Sequence, residues 1–241
     1  MNWTNDDVLY RQIQAMLTRL GEHHTVSDIL LPSSTCIFIL ESPHVQELKY
    51  GAPVAGASGA TMSKHLFGPE YARFPLGRLV KKNADEVKNK PRLNRVGLLN
   101  VCNVPLQGSA YREAWVQQEF GEWLNDLATL RSSNQRDDYG NPRLNAIQAV
   151  LLDSLREKLL TLQSRSCTLV PCGRFAQKFF RLAQVSSPNW QVIHGVPHPS
   201  YNSWDRPQYA DVVARVRDTL KFQAFGVKTD EYFKAHDAPQ P

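Results

Sequence analysis

Three side chains of different chemistry stand just beyond apolar runs that are far apart in the sequence. Glu41 follows Cys36-Ile-Phe-Ile-Leu40, Asn100 closes Val96-Gly-Leu-Leu-Asn100, and His198 comes two residues after Gln191-Val-Ile-His-Gly-Val196. A carboxylate can stabilise positive charge or orient a water. An imidazole can stabilise developing negative charge, and a primary amide offers both a donor and an acceptor. The first cluster is the densest: Glu41-Ser42-Pro43-His44, then Glu47, then Gly51-Ala-Pro-Val-Ala-Gly-Ala-Ser-Gly59. Pro43 has no amide hydrogen and keeps Ser42 out of helical angles, so the chain must leave a sheet there. Gly51, Gly56 and Gly59 keep the following loop thin enough for backbone amides to approach a ligand.

Elements that must position these groups can be read in order. Thr4 or Asn5 caps a helix through Val8, Leu9, Ile13, Met16, Leu17 and Leu20, with Gly21 as its stop. Residues 36–40 read as a strand buried on both faces. A helix begins near 61 and loses regularity through Pro69 and Pro75, and Lys81 to Arg92 reads as a solvated polar connection. A second strand spans 95–100, helices span 111–130 and 144–162, and 131–143 is a surface loop by composition. Residues 167–172 give a third strand, turned by Gly173 into a helix over 174–183. A fourth strand covers 191–196, and a last helix runs from Pro207 to Phe222. Strands separated by helices imply a mostly parallel sheet covered on both faces, an α/β three-layer sandwich with four central strands. Such strands share a direction, so Glu41, Ser42, His44, Asn100, Gly173-Arg174 and His198 are expected along one edge, where open α/β sheets bind ligands.

Composition sets bounds. The 241 residues are 42% hydrophobic and 21% charged, which suits one domain (1–222) followed by a polar tail (223–241). A net charge of +5 permits an anionic partner without demanding one. Cys36, Cys102, Cys167 and Cys172 lack metal-type spacing and read as buried free thiols of a reducing compartment. The polar, acidic first residues and the lack of a long apolar run lead to the expectation of a cytoplasmic, monomeric protein without membrane contact.

These residues resemble the uracil-DNA glycosylase superfamily, over about residues 35–204. Glu41-Ser-Pro-His-Val-Gln-Glu47 with the glycine-rich segment to Gly59 is similar to the bacterial pattern G-E-A-P-G-x-x-E-D … G-x-P-F-V-G-x-A-G. Val96 to Asn100 looks like the strand ending in the base-reading Asn. Gly173-Arg-Phe-Ala-Gln-Lys178 resembles the G-x-x-A-Q-K helix start, and His198-Pro-Ser200 the H-P-S motif that opens the DNA-intercalating loop. The resemblance implies that fold and a cofactor-free, metal-free N-glycosylase. Glu41 and His198 would be catalytic, with Ser42 standing where another branch has its water-activating Asp, so Glu41 or Glu47 must handle the water. Asn100, His44 and Val54 would bind the base. Ser58, Gly59, Arg174 and Ser200 would meet the DNA backbone, and Tyr201 or Trp204 would wedge into the gap left by the extruded nucleotide.

Two departures bear on the substrate. His44 stands where the family often has a pocket-closing Tyr, and Val54 where it has a stacking Phe, so the pocket gains room. A wider pocket suits a substituted base, such as a hypermodified cytosine of phage DNA, and implies antiviral defence; uracil repair is close behind. The iron–sulfur cysteines of one branch are missing. Two other readings stand beside this one: a non-catalytic module of the same fold that recognises modified or damaged DNA, and a metal hydrolase using His44, Glu47, His194 and His198. Pro197 and Pro199 rule out the helix that would turn His194 and His198 the same way.

Overall fold

A computed structural model describes residues 4–221. Along the chain run α1 (Asn5–His24), β1 (Cys36–Leu40), α2 (Val45–Tyr50), α3 (Ala57–Phe67), α4 (Leu76–Asp85), α5 (Pro91–Asn94) and β2 (Val96–Asn100). Then follow α6 (Ala114–Ser132), α7 (Pro142–Leu162), β3 (Cys167–Pro171), α8 (Gly173–Ala183), β4 (Trp190–Val192) and α9 (Ala210–Thr219). The strands form one sheet in the order β2-β1-β3-β4, and every pairing is parallel.

Side-chain alternation divides the core between two helical layers. Ile37, Ile39, Leu99 and Leu169 pack with residues of α1, α6, α7 and α8. Cys36, Phe38, Leu40, Leu98 and Val170 face the other way, onto α3, α4 and α9. The expected α/β class, the four parallel strands and their helical cover are therefore present. Among the described residues no helix is long and apolar enough to cross a membrane. All four cysteines are buried and unpaired.

Several boundaries differ from the sequence reading. Gly21 does not end α1, which runs on to His24, whose Nε2 lies 3.1 Å from Glu113 of the loop before α6. Lys81 and Lys82 lie in α4, and α6 extends through Arg131 into what composition marks as loop. β4 has only three residues, and 3-10 turns precede α9 where a continuous helix was expected. Phe222 and the tail from 223 lie outside the described residues.

The loop after β1 is closed by a near contact of two backbones. A Cβ on Gly59 would sit 1.7 Å from the carbonyl oxygen of Val54. Gly59 is thus buried packing in α3, closed against the backbone of Val54. Gly59→Ala should destabilise the protein by about 2–4 kcal/mol, because backbone rather than a flexible side chain must yield. Urea unfolding checks this, and an unchanged midpoint would remove the proposed crossing.

Candidate functional site

Asn100 ends β2 in register with Leu40 of β1, and the Cys102 amide donates to the carbonyl of Glu41 at 3.1 Å. Glu41 and Asn100 are thereby delivered to neighbouring positions on one sheet edge. Strand alternation points the Asn100 side chain to the face of Val96 and Leu98, the face that also packs Val54 and Met62. That side chain is 0% exposed, yet neither its Oδ1 nor its Nδ2 has a hydrogen-bond partner.

Its backbone, in contrast, is held firmly. Asp28 Oδ1 accepts from the Asn100 amide at 2.9 Å, and Lys158 Nζ donates to the Asn100 carbonyl at 2.7 Å. Lys158 also pairs with Asp28 at 3.0 Å, and Asn103 bonds both of them. β2 is an edge strand, so these side chains serve where a neighbouring strand is missing.

The imidazole of His198 is oriented by its own loop. The Ser200 amide points to Nδ1 at 3.3 Å and the Ser200 hydroxyl lies 2.8 Å from it. A backbone N–H can only donate, so Nδ1 is the acceptor and Nε2 carries the proton. Burial, helped by the positive charge of Arg131, pushes the His198 pKa down to about 4, so the ring is neutral. In the DNA-free protein Ser200 is engaged with the imidazole. Gly173 lets α8 meet this loop. Its φ is +83°, its amide bonds the Val196 carbonyl at 2.9 Å, and a Cβ there would come within 2.6 Å of His198 Cβ. Gln177 Nε2 adds a bond to the same carbonyl at 2.8 Å.

Beyond His198 the chain makes an exposed corner. Tyr201 and Asn202 both adopt left-handed backbone angles, and Tyr201 is 90% exposed. Trp204 is 1% exposed, donates to the Pro197 carbonyl at 2.9 Å and packs near Phe38 and His65. Trp204 is thus a buried prop of the loop, and the wedge expectation passes from it to Tyr201.

Glu41 is paired with Arg131, whose Nε donates to its Oε1. Burial pushes the Glu41 carboxyl up, and the guanidinium opposes the shift. Glu47 has a different task. Its two oxygens accept from the amides of His44 at 2.7 Å and Val54 at 2.6 Å, holding the pocket loop. Val54 is strained for a β-branched residue, with φ at +47°, and this bond helps keep it there. His44 is half-buried at the start of α2, and Ser58 is half-buried in the first turn of α3. Ser42 Oγ faces the Leu106 amide at 3.4 Å, linking the loops after β1 and β2, and the Arg174 side chain is exposed in the first turn of α8.

Arg131, Asp28 and Lys158 escape a reading by motif. Arg131 lies in a segment whose composition reads as loop, and the other two act through the backbone of Asn100. Among the described residues no three His, Cys, Asp or Glu side chains are grouped as a metal site requires, so His44, Glu47, His194 and His198 form no ligand cluster. The chain matches no protein-family model and no curated protein.

Two buried titrations of opposite sign meet here. Burial, with Glu41 nearby, pushes Glu47 up from 4.5 to about 7. The folded state then keeps a proton that the unfolded chain releases, and this contribution is lost as pH rises through that window. His198 falls from 6.5 to about 4, so the unfolded chain takes up a proton first, and its contribution is lost as pH falls from 6.5 to 4. The two largely offset each other between them. Relative to wild type, Glu47→Gln should make stability rise more steeply with pH, and His198→Asn should flatten or reverse the slope, each by on the order of 1–3 kcal/mol across the window. Urea titrations at stepped pH read both slopes; equal slopes in the two variants would contradict the assignment.

Proposed function

We propose that the chain is a monofunctional DNA N-glycosylase of the uracil-DNA glycosylase type, which extrudes a non-standard pyrimidine and removes it. The observation that carries this reading is the amide of Asn100. A buried amide with both polar atoms unsatisfied is costly and rare in native folds. The Watson–Crick edge of a flipped base would supply the missing donor and acceptor.

The neighbouring groups suit the same reaction. The C1′–N1 bond breaks, and the base departs with the electron pair. Nε2–H of neutral His198 donates to the oxygen on which that charge collects. Glu41 stabilises the cationic sugar and orients the water whose oxygen adds to C1′, and the proton that this water loses ends on the departed base. The products are the free base and an abasic sugar. Tyr201, on its exposed corner, fills the vacated stack. Val54 and His44 leave room at the base, which favours a bulky modified cytosine of phage DNA and a role in antiviral defence, with uracil excision as the nearer repair function.

One observation favours a second reading, a module that binds modified DNA without cutting it: Glu41 is occupied by Arg131. Incubation with duplexes carrying uracil, plain cytosine or glycosylated hydroxymethylcytosine, with mass spectrometry of the freed bases, separates the two. Release of the glycosylated base or of uracil, and not of cytosine, is expected. His198→Ala and Asn100→Ala should each slow release by roughly 10²–10³-fold, the scale for losing a donor aimed at developing charge. Normal turnover by His198→Ala would sink the mechanism, and tight binding with no freed base would establish the module.

A further inference from the structure

We propose that Arg131 is a ligand for a DNA backbone phosphate and that, in the DNA-free protein, it rests on Glu41, so that DNA binding uncovers the carboxylate. This rests on the glycosylase reading and names how its acid is exposed.

The pair is unequal in its surroundings. The Arg131 side chain is 39% exposed and that of Glu41 only 13%, so the cation faces the solvent from which DNA would approach. A guanidinium binds phosphate through several N–H donors in a planar fork, and it is more weakly hydrated than an ammonium, so exchanging carboxylate for phosphate is a small step. Glu41 has reason to be released. A carboxylate neutralised by a guanidinium is a weaker stabiliser of a cationic sugar than an unpaired one.

The backbone from which the Arg131 side chain extends is held by neighbouring side chains. Asn134 Nδ2 donates to the Arg131 carbonyl at 3.0 Å, and Tyr139 Oη to the Leu130 carbonyl at 3.1 Å. Lys178 of α8, buried, donates to Tyr139 Oη at 2.8 Å. The end of α6 is thus anchored to the helix that also supports the His198 loop. The titratable and charged groups concerned are Glu41, Glu47, neutral His198 and Arg131, with the Asp28–Lys158 pair bonded to the backbone of Asn100.

The test is a double-mutant cycle on DNA binding, read by fluorescence anisotropy with a duplex holding a tetrahydrofuran abasic analogue, over a series of salt concentrations. Glu41→Gln should bind about tenfold tighter, because Arg131 is then free beforehand. Arg131→Gln should bind more weakly, with the slope of log affinity against log salt shallower by about one. In the Arg131→Gln background, Glu41→Gln should no longer tighten binding. Tightening that persists without Arg131, or an unchanged salt slope, would overturn the proposal. Arg131→Lys, which keeps the charge, should restore most of the slope and guards against misfolding of the Gln variant. Base release by the wild type is measured separately. Binding without release defeats the glycosylase reading while the cycle still decides the role of Arg131, and a wild type that does not bind DNA overturns both.

Discussion

Parallel pairing on both sides of one short strand is the constraint from which the rest follows. β1 is flanked by β2 and β3, with Leu40 opposite Asn100 and Ile39 opposite Pro171. All three chains therefore leave the sheet at the same edge and within a residue or two of the same level. An antiparallel neighbour would have sent its polar terminus to the opposite edge. The buried apolar residues of these strands are thus not only core. Their alignment decides which polar residue meets which, and a slip of one residue would turn Asn100 toward the other helical layer.

The amide of Asn100 is expensive to keep where it is, and the molecule shows how it is kept. Strand ends ordinarily fray, and a frayed β2 would let the side chain reach water. Asp28 and Lys158 bond the N–H and C=O of that one residue, which takes away the backbone freedom that escape would need. A largely buried ion pair gives little net stability by itself. Its worth here lies in fixing one residue at the open edge of a sheet. Glu47 does the same for Val54, so two walls of the site are set by carboxylates that accept backbone N–H groups.

What could be read in the sequence, and what could not, divides along the range of the forces involved. Apolar runs ending in Glu41, Asn100 and Cys172 mark β1, β2 and β3 because a strand covered on both faces needs them. Amphipathic spacing marks α6 and α7 for a similar reason. Where a distant partner decides, local pattern gives out. Gly21 carries a helix-stopping signal, but α1 continues because tertiary contacts of His24 outweigh it. Arg131 looks like the start of a polar loop until Glu41 supplies its partner. Trp204 and Ser200 sit in a motif whose likeness implied DNA contact, yet a carbonyl at Pro197 and an imidazole at His198 already use their polar atoms. Aromatic character shows that a side chain is large, not which way it faces. What separates Tyr201 from Trp204 is exposure, which depends on the fold of the whole loop.

The electrostatics of the site have one further consequence. An unperturbed imidazole becomes cationic in mildly acid solution. Here burial, and then the positive charge of Arg131, discourage a proton on His198, while the same guanidinium pairs with Glu41. A neutral ring with its proton fixed on Nε2 can donate without first being charged, at any pH above about 4. It also spares the site a buried cation, whose desolvation would have to be offset elsewhere.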